Sequence, residues 1–79
     1  MSARGTLINT PYFRGVRVMR GYTAKRSAKE LGMSYSCFRN KEAGITAFTD
    51  EEKIGAAKLY GMTFEEFNKA FFGGGLPIG

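Results

Sequence analysis

A chain of 79 residues has room for one small domain, and at this length it buries only about 60% of the surface it exposes when unfolded. Its 43% hydrophobic and 24% charged residues include no apolar run near the ~18 needed to span a bilayer; the absence of histidine and the single cysteine, Cys37, exclude an intrachain disulfide, a zinc finger and any imidazole-dependent triad. The net charge of +5 is unevenly placed: residues 1–41 carry nine basic side chains against one acid (+8), and residues 42–79 three against six (−3), so the first half suits a polyanion.

Polar helix starters and glycine stops alternate along the chain and predict five short helices. Thr10 before Pro11 is an N-cap followed by a first helical residue, and Gly21 ends that segment. Thr23 opens the second helix and Gly32 closes it; Ser34 opens the third and Gly44 closes it. Thr49 with Glu52, and Thr63 with Glu66, have the spacing of capping boxes, with Gly61 and Gly73 as the matching stops. Nothing alternates as a strand does. Phe13, Val16 and Met19, then Ala24, Ala28 and Leu31, and finally Phe64, Phe67 and Phe71 recur at helical intervals and are the expected core. Gly15 and Gly55 fall inside helices at roughly 1 kcal/mol each, which points to close helix approach at both.

The segment 23–44, TAKRSAKELGMSYSCFRNKEAG, has the spacing of a helix-turn-helix. Ala28 is small enough for two helices to cross, Gly32 suits the left-handed turn four residues later, Met33 plugs the core and Phe38 faces inward. Asn40 can bind adenine N6 and N7 together, Ser36 several base edges, and Tyr35 a base, a phosphate or a thymine methyl. Lys25, Arg26 and Lys41 can neutralise phosphates. The first two sit where the helix dipole disfavours cations, a cost that a bound phosphate offsets. Without DNA, they are a solvated helix start and Tyr35 a surface aromatic.

From the RGVRVMRGYT entry through SAKELGMS, RNKEAG and FTDEEKIGAAKLYGMTFEEF to FFGGGLP, the chain resembles the Cro-like, lambda-repressor-like (XRE) family, above all the small prophage regulators of Gram-positive bacteria. The likeness covers residues 12–77. It implies an all-α, five-helix DNA-binding domain with the helix at 34–42 in the major groove. By the same resemblance Tyr35, Ser36 and Asn40 meet base edges, and Arg39 lies beside them within reach of phosphate or base. Lys25, Arg26, Ser34, Lys41 and Thr46 lie toward phosphates, and Arg17 pairs with Glu42 as part of the scaffold. Two positions depart from the family pattern: Ala24 stands where Gln is common, and Glu42-Ala43-Gly44 replaces Glu-Asn-Gly.

The expected organisation is an arm over residues 1–9, a helix-turn-helix domain over 10–72 and a Gly-rich tail over 73–79. The expected function is a cytoplasmic, sequence-specific transcriptional regulator, Cro-like or repressor-like. It is expected to use no cofactor, metal or small-molecule ligand, not to be an enzyme, and not to enter a membrane. Its partners would be double-stranded DNA with a pseudo-palindromic operator and a second copy of itself, Phe72 and the tail with Leu76 and Ile78 contributing to the dimer. Two other readings use the same fold: a protein-interaction module (an antitoxin-like partner or an anti-repressor) and a non-specific DNA binder.

Overall fold

The computed structural model describes residues 8–72. Among them there are five helices and no strand: α1 (Thr10–Met19), α2 (Ala24–Leu31), α3 (Tyr35–Glu42), α4 (Asp50–Tyr60) and α5 (Phe64–Phe71). Four of the five N-caps are those expected from sequence: Thr23, Ser34, Thr49 and Thr63 each accept a backbone N–H of the first turn, and the last two complete capping boxes with Glu52 and Glu66. The first helix differs by one residue. Asn9, not Thr10, caps α1 by accepting the Tyr12 N–H, which frees the Thr10 hydroxyl to donate to the Glu42 carbonyl at 3.1 Å. Asn9 also donates its own N–H to the Ala70 carbonyl at 2.8 Å, and Ile8 packs partly buried against the core. The stop expected at Gly73 and the tail contacts lie outside the described residues.

The core forms around one ring. Phe13, fully buried, has Phe48, Phe71, Tyr60 and Phe38 at centroid distances of 5.4, 5.5, 5.7 and 6.4 Å, tilted or edge-on as aromatic quadrupoles prefer. Val16, Ala28, Ala56 and Ala70 close the remaining space. Because the helices are 8–11 residues long, none would persist alone in water; burial against this cluster holds them. No described helix is long and apolar enough to cross a membrane.

Three expected core features fall elsewhere. Met19 is exposed, because α1 turns Phe13, Val16 and Arg17 inward and Arg20 continues that face, its guanidinium bonding the Tyr60 carbonyl at 2.9 Å and Glu66 at 2.8 Å. Phe64 is 81% exposed; it stands at the first position of α5, short of the core, and lines an open apolar cleft with Ile54, Met62 and Phe67. Gly15 meets nothing, whereas a Cβ at Gly55 would stand 3.3 Å from Leu31 Cδ2, so close helix approach explains only the second of the two glycines.

Buried polar links tie the helices together. Glu66 is held below the ordinary carboxylate range by the Thr63 backbone amide and by Arg20. Tyr60, buried in the core, donates its hydroxyl to Ser27 Oγ at 2.7 Å and joins α4 to α2. Burial disfavours its phenolate and pushes the phenol from 10.0 up to about 12. A raised acid is stabilising in its neutral form, so that contribution is complete below pH 10 and is lost as pH rises toward 12. Denaturation curves between pH 9 and 12 should therefore show a loss of stability that is absent in Tyr60→Phe. Parallel curves for the two proteins across that range would contradict it.

Candidate nucleic-acid interface

The turn between α2 and α3 is built by Gly32, whose φ of 73° and ψ of 32° are left-handed, a conformation that costs a Cβ-bearing residue but not glycine. Its N–H bonds the Lys29 carbonyl at 3.1 Å, and that of Met33 bonds the Ala28 carbonyl at 2.9 Å. Ser34 then caps α3 with its Oγ accepting the Cys37 N–H at 3.1 Å. The two helices pack through buried Ala28 and Phe38, and Met33 is partly buried against the same core.

Packing fixes which side of α3 faces out. Phe38 and Glu42 are buried and Cys37 and Lys41 half-buried, which leaves Tyr35, Ser36, Arg39 and Asn40 exposed along one face. Ser36 and Asn40 make no side-chain hydrogen bond among the described residues, so their donors and acceptors are open to a ligand. Thr23, Ala24 and Lys25 line a shallow cleft with Tyr35, and Lys25, Arg26 and Lys29 continue along α2. The structure thus brings the start of α2 beside the start of α3, with exposed cations next to neutral hydrogen-bonding groups. Thr46 is exposed in the loop after α3, its N–H 3.3 Å from the Asn40 carbonyl.

Other expected site residues are engaged inside the protein. Lys41, an expected phosphate contact, donates its ammonium to Glu52, is largely shielded, and ties α3 to the start of α4. Burial alone would raise the Glu52 carboxyl; the Lys41 ammonium and the Thr49 amide outweigh it and hold the group below the ordinary range. Arg26 stacks on the Tyr22 ring, its Cζ 4.8 Å from the centroid, and stands 3.8 Å from Glu30, with most of its side chain still exposed. Arg17 donates Nε to Glu42 Oε2 at 2.8 Å and Nη1 to the Tyr22 carbonyl at 2.8 Å. Arg14 approaches the other oxygen of the same carboxylate at 3.8 Å.

No protein-family model, curated protein or solved structure matches this chain. The charge split visible in the sequence is softened by the fold, since Arg17, Arg20 and Lys41 are all paired with acids of the second half. The cations exposed among the described residues are Arg14 on α1, Lys58 on α4 and Lys69 on α5, with Lys25, Arg26 and Lys29 on α2 and Arg39 on α3. One link in this face escaped the sequence reading. Arg39 donates Nη1 to the Tyr35 hydroxyl at 2.8 Å, with its Cζ 5.7 Å from the Tyr35 ring centroid; the i, i+4 spacing was the available signal.

Proposed function

We propose that this chain is a sequence-specific double-stranded DNA-binding transcriptional regulator that inserts α3 into the major groove. The observation that carries the reading is the outward face of α3, where neutral base-reading groups (Tyr35, Ser36 and Asn40) adjoin Arg39 and the exposed cations of α2. An α-helix is about 10–12 Å across with its side chains, which a major groove about 12 Å wide admits. Lys25 and Arg26 at the start of α2 supply phosphate contacts that fix register, and Ser36 and Asn40 supply contacts that depend on sequence. Ser34 keeps its hydroxyl hydrogen for a phosphate, and Thr46 offers a hydroxyl beyond α3.

One short helix in one groove gives limited affinity, so the protein works as a homodimer on a pseudo-palindromic operator, at least when bound to DNA. The likeness to the Cro-like, lambda-repressor-like family supports the same reading and a prophage-derived, cytoplasmic setting. The protein acts by binding, not by catalysis, and requires no cofactor.

Selection of bound duplexes from a random pool, followed by titration of the selected and scrambled sites at several salt concentrations, tests this. The selected site should bind at least ~10³-fold more tightly than the scrambled one. Equal, strongly salt-dependent binding to both would make the protein a non-specific binder, and negligible binding to either would leave the interaction-module reading.

A further inference from the structure

Of the arginines among the described residues, Arg14, Arg17, Arg20 and Arg26 each have a carboxylate within 4.0 Å, and Arg39 has none. Its guanidinium nevertheless has a partner on its own helix. The Tyr35 hydroxyl, one turn earlier, accepts from Nη1 at 2.8 Å, and the cation lies beside the Tyr35 ring. This draws the guanidinium back toward the N-terminal end of α3, the end from which recognition helices reach base edges. One N–H is engaged, and the Nε and Nη2 edge has no partner among the described residues. A planar fork with two parallel donors facing out matches two neighbouring acceptors, and in the major groove guanine offers such a pair, O6 and N7. A phosphate can accept the same fork but carries no sequence information, so discrimination between bases separates the two.

We propose that Tyr35 and Arg39 form one guanine-reading unit, in which Tyr35 positions the Arg39 guanidinium so that its outward edge meets O6 and N7 of a single guanine in the operator. The inference rests on α3 being the recognition helix and adds the base that the site selects. Tyr35 is a positioning residue here, and Arg39 makes the contact. Holding the fork in place before binding lowers the entropy lost on contact.

The test uses the full chain on duplexes selected from a random pool. One G·C pair should stand out. Changing it to A·T, or replacing its guanine with 7-deazaguanine, which lacks the N7 acceptor, should weaken wild-type binding roughly tenfold or more. Arg39→Gln should lose discrimination at that pair while keeping it at the others. Tyr35→Phe, which retains the ring and every charge, should show a reduced penalty for 7-deazaguanine with its salt dependence unchanged. Both side chains are exposed, so thermal melts of the variants should match wild type.

If Arg39→Gln weakens all duplexes alike and flattens the salt slope, Arg39 binds phosphate and the proposal fails while α3 remains the reader. The proposal also fails if Tyr35→Phe leaves guanine discrimination intact, since Tyr35 then positions nothing. A wild-type protein with no sequence preference would instead remove the recognition-helix reading itself, and this inference with it.

Discussion

Arg17→Ala should destabilise the protein by about 3–5 kcal/mol, the range for breaking a buried ion pair by removing one partner. The Arg17 and Glu42 side chains are only 11% and 1% exposed, so the substitution leaves a carboxylate inside the protein with much weaker compensation. One of its oxygens already lacks a hydrogen-bond partner, and Arg14, at 3.8 Å and half exposed, is too solvated to replace a bond of 2.8 Å. The Tyr22 carbonyl would lose its donor as well. A domain of this size has a total stability of only about 4–12 kcal/mol, so the loss is a large share of the whole. Replacing both partners with apolar residues of similar volume (Arg17→Met with Glu42→Leu) should restore most of the loss. Urea denaturation of the three proteins decides the matter. An Arg17→Ala protein within about 1 kcal/mol of wild type would place the pair among exposed bridges of small effect.

Phe13→Ala should cost a similar amount, about 3–5 kcal/mol, for a different reason. Phe13 is fully buried and is the ring on which Phe38, Phe48, Tyr60 and Phe71 converge from α3, the following loop, α4 and α5. Its removal opens a cavity that rigid neighbouring rings cannot fill, and the aromatic pairings are lost along with the transferred area. Phe64→Ala is the natural control. That side chain lies at the protein surface, and its loss should change stability by no more than about 0.5 kcal/mol. Equal destabilisation by the two substitutions would contradict the placement of the core.

The contrast between these phenylalanines shows what the sequence makes legible. Caps and glycine stops are local chemistry, so Thr23, Gly32, Ser34, Thr49, Gly61 and Thr63 disclose helix ends without knowledge of the fold. Helical spacing discloses a face but not its depth. The stripe Phe64, Phe67 and Phe71 is real, yet Phe64 lies beyond the reach of the core and Phe67 is half-buried, with only Phe71 fully packed. On α1 the inward face continues through Arg17 and Arg20, which a search for apolar residues passes over. Their acceptors, Glu42, Tyr60 and Glu66, lie 25–46 positions away.

The site was legible to a similar degree. The residues facing out from α3 follow from the inward placement of Phe38, because a helix with one buried side has only one side left. Of the pairings across elements only Arg17 with Glu42 was expected, through the family resemblance, and the structure shows it; the others were not legible. Lys41 looks like a free cation in sequence, and only the fold brings the start of α4 close enough for Glu52 to bind it. The same folding that pairs Arg17, Arg20 and Lys41 with acids leaves Lys25, Arg26, Lys29 and Arg39 as the exposed cations of α2 and α3.

Asn40 separates base reading by α3 from mere contact with phosphate. Its side chain is exposed, uncharged and unpartnered among the described residues, so it can bond a base edge and adds no Coulomb attraction. Lys25 is exposed at the start of α2, where its charge suits the backbone. The decisive measurement is the affinity of wild type, Asn40→Ala and Lys25→Ala for a selected and a scrambled duplex at several salt concentrations. Asn40→Ala should lose roughly 1–3 kcal/mol on the selected duplex alone, with preference relaxed at one base pair. Lys25→Ala should weaken both duplexes alike and make the slope of log K against log salt shallower by about one unit. Equal weakening of the two duplexes by Asn40→Ala would contradict sequence reading by α3.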